Sequence, residues 1–229
     1  MIVSLLVATY NGEKYIKEQL ESIRMQTRQP DRVLILDDMS SDKTVDIVKG
    51  FIEQYNLSNW NVQVNEINKG WKQNFWDGLK IIGGDIVFLC DQDDIWDLDK
   101  IKIMVDKMVC NSKIKLLVCG FESLYEEGNK QQVSNAIEKT MEESGEVIKF
   151  EFKPSFSYVL RPGCVYAVRP DLWEMADEFW CNAVPHDAIL WRLAALIDGL
   201  YFLDLRLIKW RRFNTSSSNP YSLEGKYQN

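Results

Sequence analysis

The chain has 229 residues, 46% of them hydrophobic, and a formal net charge of −7. That is ample apolar material for a folded core and an ordinary length for one α/β domain, which excludes global disorder. The acidic balance argues against a nucleic acid held on a broad basic surface, but not against a small anionic ligand held by local clusters or metal ions.

The opening stretch MIVSLLVATYNGEKY lacks a basic leader and reads as a first strand, Ile2 to Ala8, closed by a turn at Asn11-Gly12. EKYIKEQLESIRMQ then places Tyr15, Ile16, Leu20 and Ile23 at helical spacing. DRVLILDD reads as a second buried strand. The helix that follows, SSDKTVDIVKGFIEQY, has Ser41 or Asp42 as its cap and Val45, Val48, Phe51 and Ile52 on one face. WNVQVNE is a strand, KGWKQNFWDGLKII a helix, GDIVFLC a strand, DLDKIKIMVDKMV a helix and KIKLLVCGFESLY a strand region. This alternation, with continuously apolar strands, predicts a mixed, mainly parallel sheet flanked by helices.

Tyr125 to Phe150 breaks the rhythm with a polar excursion, which its polarity suggests as a lid. Order resumes as a strand in SYVLRPGCVYAVR and a helix from Pro170. A helix over HDAILWRLAALIDG follows with Gly199 as C-cap, then the extended LYFLDLRLIKWRRF. The remainder, NTSSSNPYSLEGKYQN, is a polar tail. Five cysteines (Cys90, Cys110, Cys119, Cys164, Cys181) form no CxxC pair and read as reduced, mostly core residues of a cytosolic protein. No stretch approaches the length of a membrane span.

Ligands of parallel α/β sheets bind beyond the carboxyl ends of the strands. Three polar clusters fall there: Thr9-Tyr10-Asn11-Gly12, Asp37-Asp38, and Asp91-Gln92-Asp93-Asp94. On an extended segment, Asp91 and Asp93 share one side and can face one hard divalent cation, Mg²⁺ or Mn²⁺. Asp97 reads as a helix cap. Tyr10, at a strand end, suits stacking on a planar base. Of Trp173, Phe179 and Trp180, at least two are expected in the core.

Together, VSLLVATYNGEKYIKEQLESIRMQT, RVLILDDMSSDKT, NKGWKQNFWDGL and GDIVFLCDQDDIW resemble the family 2 glycosyltransferases, with further islands at RPGCVYAVR, HDAILW and WRRFN. The resemblance implies a single Rossmann-like nucleotide-sugar-binding domain of the A-type glycosyltransferase fold over residues 1–214. Residues 1–120 would form the nucleotide-sugar half, 121–214 the acceptor half, and 215–229 a tail. It implies that Tyr10 stacks on the base and Asp38 hydrogen-bonds it, with Ala8, Thr9 and Asn11 lining the pocket and Asn68, Gly70 and Lys72 close by. Asp91, Gln92 and Asp93 match the DxD motif, with Asp93 and Asp91 as metal ligands. Asp94, Gly163, Cys164, His186 and Trp191 fall on the donor-sugar and acceptor side. The family's base is the Asp of a Glu-Asp pair; here that pair reads His186-Asp187, making Asp187 the candidate. Phe213 stands where relatives carry a metal-binding histidine, leaving Arg211 to contact phosphate.

The activity so implied is inverting, metal-dependent transfer of a hexose from a nucleoside-diphosphate sugar to a glycan, glycolipid or glycoprotein hydroxyl. UDP-hexose is the favoured donor and dTDP-rhamnose the alternative. The enzyme would be bacterial and cytoplasmic, with association at the inner membrane face and homo-oligomerisation left open, and no nucleic-acid partner. Two other readings stand beside it: a magnesium-dependent phosphatase or phosphotransferase, and a non-catalytic nucleotide-sugar-binding module.

Overall fold

The computed structural model describes residues 1–125, 142–151 and 161–212. Most of the expected excursion (126–141), Phe213 and the expected tail lie outside the described residues. In chain order the elements are β1 (Val3–Thr9), α1 (Ile16–Arg24), β2 (Arg32–Asp37), α2 (Thr44–Gln54), β3 (Trp60–Val64), α3 (Trp71–Ile82), β4 (Ile86–Cys90) and β5 (Ile95–Trp96). Then come α4 (Lys100–Cys110), β6 (Leu116–Tyr125), β7 (Val147–Lys149), a 3-10 turn (Gly163–Val165), β8 (Tyr166–Val168), α5 (Pro170–Asp177), α6 (His186–Leu196) and β9 (Leu200–Arg212).

One sheet runs in the order β3-β2-β1-β4-β8-β6-β9-β5, with β7 added on β9. Its first half is parallel: β1 pairs with β2 and β4, and β2 with β3. Antiparallel β8 is wedged between β4 and β6, and β9 lies parallel to β6. The fold is the expected mixed α/β sheet flanked by helices. All five residues of β4 are buried, as are six of seven in β1. Each buried Val, Leu, Ile or Phe contributes about 1.5–3 kcal/mol, so this apolar run anchors the loop that follows it.

Several local expectations change. Ile95–Trp96 forms a strand paired antiparallel with Ile208 and Lys209, too short to carry a periodic signal. Val147–Lys149, assigned to the polar excursion, pairs with Tyr201–Leu203 of β9, which supplies the hydrogen-bond partners its own sequence does not advertise. Gly199 is not the left-handed cap of α6. Asp198 takes that conformation (φ 60°), and the Gly199 amide donates to the Ala194 carbonyl at 2.8 Å. Asp42, one of the two expected caps, accepts the Thr44 amide at 2.9 Å. Asp97 accepts the Asp99 amide at 3.0 Å just before α4. Cys90, Cys119 and Cys164 are buried while Cys110 and Cys181 are exposed, and all five are free thiols. No helix among the described residues is long and apolar enough to cross a membrane.

Candidate functional site

The loops after β1 and β2 are sewn together by side chains. Thr9 Oγ1 donates to Asp37 Oδ2 at 2.7 Å, and Ser40 donates to both Asp37 oxygens through its amide (2.7 Å) and hydroxyl (2.6 Å). Asn11, left-handed at φ 47°, accepts the Ser41 amide and donates its own amide to Ser40 Oγ, each at 2.8 Å. Asp38 is buried, and its carboxylate accepts the Lys69 amide (2.8 Å), the Gly70 amide (2.7 Å) and the Asn65 side chain (2.9 Å). It thereby fixes the 65–70 segment, bringing Asn68, Gly70 and the start of α3 to the ends of β1 and β2. Asn68 is exposed, and the half-buried Lys72 donates to the Ala183 carbonyl at 3.3 Å.

Tyr10 projects into solvent at 48% exposure, while its backbone is held by the β4 loop. Gln92 accepts the Tyr10 amide at 2.8 Å and donates back to its carbonyl at 3.0 Å. The clasp needs Gly12, because a Cβ there would stand 2.3 Å from Gln92 Oε1.

The β4 loop is not the extended segment expected for Asp91 and Asp93. Residues 92 and 93 form a turn, which closes Asp91 onto Asp94. One oxygen of Asp91, one of Asp94 and the Cys164 sulfur lie within 4.8 Å of one another. Asp94 is fully buried; its Oδ1 accepts the Arg211 amide at 2.9 Å, and its Oδ2 has no hydrogen-bond partner. Arg211, expected at phosphate, bolts this loop down instead. Its Nε donates to the Asp93 carbonyl at 2.7 Å, while its guanidinium pairs with Glu18 and lies over the Tyr15 ring at 4.6 Å.

Opposite stands the start of α6. Asp187 is half-buried and its Oδ1 accepts the Ala188 amide at 2.7 Å. Asp187 and the Asp91–Asp94 loop border the same 3-10 turn: Gly163 packs against Asp187, and the Cys164 sulfur lies within 4.8 Å of an Asp91 oxygen and an Asp94 oxygen. His186 is buried, stacked on Phe75 (centroids 4.2 Å apart) and edge-on to Trp71 (5.7 Å), with neither ring nitrogen hydrogen-bonded. A Cβ on Gly163 would approach His186 Nε2 to 2.8 Å and Asp187 Cβ to 3.3 Å, so glycine there lets the 3-10 turn meet the helix. Trp191, expected against a sugar, is a core residue: it is 2% exposed and stacks near Tyr166. Trp173 is buried and Trp180 stacks on Trp76, leaving Phe179 exposed among the three aromatics considered.

Burial, reinforced by the Asp93 and Asp187 charges, pushes Asp91 up to about 7. Burial also lifts Asp93 to about 6 against the pull of Arg211, and burial with the Asp93 and Asp91 charges drives Asp94 well up. A crowd of carboxylates with raised proton affinity and an orphaned buried oxygen is a donor set suited to a hard divalent cation. Burial depresses His186 to about 4, against the weaker opposing pull of Asp187.

Residues 4–180 match the profile of glycosyl transferase family 2. The chain belongs to this family. Across 97% of its length it is 32% identical to the dTDP-rhamnosyl transferase RfbG of Shigella flexneri, covering 77% of that protein. It also matches the EpsH protein of Bacillus subtilis at 29% identity, over 58% of this chain and 37% of that protein. Among solved structures, Staphylococcus aureus TarS 1–349 with UDP superposes with a TM-score of 0.73 at 24% identity over 93% of this chain. A Pyrobaculum calidifontis mannosyltransferase with GDP-Man and Mn²⁺ superposes with a TM-score of 0.61 at 18% identity over 88% of this chain. The chain spans 61% and 56% of those two structures, and at such identities they share the fold. Family 2 membership sets aside the phosphatase reading and the non-catalytic module, since the named relatives are glycosyltransferases.

Within this family 2 domain, sequence reasoning missed Lys100. It is wholly buried, donates to the Cys164 carbonyl at 2.9 Å and sits 3.5 Å from the Trp96 ring centroid. A signal existed: Lys100, Met104 and Met108 are four apart, so the lysine extends the buried stripe of α4. Burial of His186 gives a testable asymmetry. Its folded value lies below its unfolded one, so its contribution to stability is full above about 6.5 and is lost as pH falls toward 4. His186→Leu should therefore lose less stability than the native chain between pH 7 and pH 4, by up to about 3 kcal/mol in paired denaturant titrations. Parallel curves would place His186 in a wetter setting.

Proposed function

We propose that the chain transfers a sugar, with inversion, from a nucleoside-diphosphate donor to a hydroxyl of a glycan acceptor. The observation that carries this reading is that Asp91, Asp93 and Asp94 beyond β4 and Asp187 at the start of α6 border one turn: the Cys164 sulfur lies within 4.8 Å of Asp91 and Asp94 oxygens, and Gly163 packs against Asp187. Exposed Tyr10, pinned by Gln92, supports a base-stacking role, and the Asp38-ordered segment bearing Asn68, Gly70 and Lys72 borders the same edge. Ala8, Thr9 and Asn11 fall on that side too.

Asp93 and Asp91, backed by Asp94, would hold Mn²⁺ or Mg²⁺, which when bound stabilises the charge growing on the departing diphosphate. Asp187 takes the proton of the acceptor hydroxyl as its oxygen bonds to the anomeric carbon. The bond from that carbon to the diphosphate breaks, and the diphosphate leaves with the electron pair. Gly163 and Cys164 form the floor between the two clusters, and buried His186, stacked on Phe75, anchors the start of α6 that carries Asp187. Both dTDP-rhamnose and UDP-hexose remain candidate donors, and the likeness to a dTDP-rhamnosyl transferase moves dTDP-rhamnose to the front. We place the enzyme in the cytoplasm, acting on acceptors of bacterial surface polysaccharide.

The test is turnover. With Mn²⁺ present, nucleoside diphosphate should be released from dTDP-rhamnose or from one UDP-hexose, faster with a rhamnose-, glucose- or N-acetylglucosamine-terminated glycoside than without. Absence of acceptor-stimulated release across that panel would sink the reading.

A further inference from the structure

We propose that Lys100 is the resident counter-cation of the acidic cluster, and that its charge keeps divalent-metal affinity low until the donor diphosphate arrives. The proposal rests on the metal role assigned above to Asp91 and Asp93. Lys100 is 0% exposed, yet no described carboxylate lies within ion-pairing distance of its ammonium. Its close partners are the Cys164 carbonyl and the face of Trp96. Those two contacts alone are thin support for a buried charge, whose isolated transfer from water is costly. Its charge acts on Asp91, Cys90 and Cys164. The geometric link is Cys164: its carbonyl holds the Lys100 ammonium at 2.9 Å, and its sulfur lies within 4.8 Å of an Asp91 oxygen and an Asp94 oxygen, so the charge reaches the cluster through space and not through an ion pair.

The charges explain the consequence. Asp91, Asp93, Asp94 and Asp187 bring four formal negatives, and Lys100, Arg211 and the buried Arg212 beside Asp94 bring three positives, so the cluster keeps a negative excess. Arg211 is tied to Glu18 at the rim and Arg212 lies over the Trp210 ring, while Lys100 is the positive charge seated on the Cys164 carbonyl under the floor. A divalent cation entering the cluster meets this like charge at short range, where the effective dielectric is low. The donor diphosphate supplies the negative charge that outweighs it, so metal and donor bind together better than either alone.

Removing the charge should uncouple them. A divalent ion feels the deleted charge twice as strongly as one proton does, so metal affinity should rise at pH 8, above the values near 7 and 6 at which Asp91 and Asp93 take protons. Lys100→Gln, which keeps a donor for the Cys164 carbonyl, should bind Mn²⁺ without nucleotide at least about tenfold more tightly than the native chain. Electron paramagnetic resonance of free Mn²⁺ at pH 8 reads this directly, and dTDP or UDP should tighten Mn²⁺ less in the variant than in the native chain. Lys100→Arg, which retains the charge, should behave like the native chain. If Lys100→Gln fails to fold, Lys100→Met gives the same reading with the cavity filled by an apolar stem. Equal or weaker Mn²⁺ affinity in the folded neutral variants overturns the proposal while leaving the transferase reading intact. Absence of Mn²⁺ binding in every variant, even with nucleotide, overturns the metal role itself and the proposal with it.

Discussion

Asp187→Asn is expected to lower kcat by about 10²–10⁴-fold while changing donor affinity far less. The amide matches the carboxylate in shape and can still accept the Ala188 amide through its oxygen, so the opening turn of α6 should survive. What it loses is the capacity to take a proton, which is the role proposed above for this residue. His186 is neutral and walled in by Phe75 and Trp71, and Asp91, Asp93 and Asp94 are crowded on the metal side. The measurement is a pair of numbers for each protein: the turnover rate, and the donor dissociation constant in saturating Mn²⁺. Near-native turnover in the variant would remove Asp187 from the reaction. A collapse of donor affinity with no independent loss of kcat would make it a binding residue.

Chelation of divalent ions is expected to abolish transfer and to weaken donor binding by at least about tenfold. Asp91→Asn and Asp93→Asn should reproduce much of the loss in the presence of metal. The reason is repulsion. Two like charges 4 Å apart cost about 4 kcal/mol at an effective dielectric near 20, and a diphosphate entering a nest of carboxylates meets several such terms. The requirement should also depend on pH with a defined sign. Metal ligands must be deprotonated, so as pH falls through about 7, where Asp91 takes a proton, and about 6, where Asp93 does, more metal should be needed for half-maximal activity. Full activity in chelator, or a metal requirement flat from pH 5.5 to 8, would contradict the assigned ligands.

The parallel half of the sheet was legible because its strands are buried on both faces and its helices are amphipathic: IVFLC is apolar at every position and is buried at every position. The same logic placed the three polar clusters at one sheet edge. Features built by partners far along the chain were not legible. β5 and β7 exist because β9 pairs with them, and neither segment carries a period of its own. Asp91 approaches Asp94 because of a turn, which residue alternation cannot foresee. Arg211 is drawn to Glu18 and the Asp93 carbonyl, 193 and 118 residues distant, so its sequence neighbours gave no hint of that commitment. Trp191 read as a sugar-facing aromatic because burial of a large ring is decided by packing, here against Tyr166.

The two-way hydrogen bond between Gln92 and the Tyr10 backbone has an entropic consequence. It joins the loop after β1, proposed to meet the base, with the loop after β4, proposed to hold the metal, so the two loops are ordered by each other before a ligand comes. Ordering a loop on binding subtracts from affinity, and here folding itself has already met that cost. On the proposed reading a bare nucleoside diphosphate should thus find its platform ready-made, and discrimination among donors should fall to the turn at Gly163 and Cys164 and the start of α6.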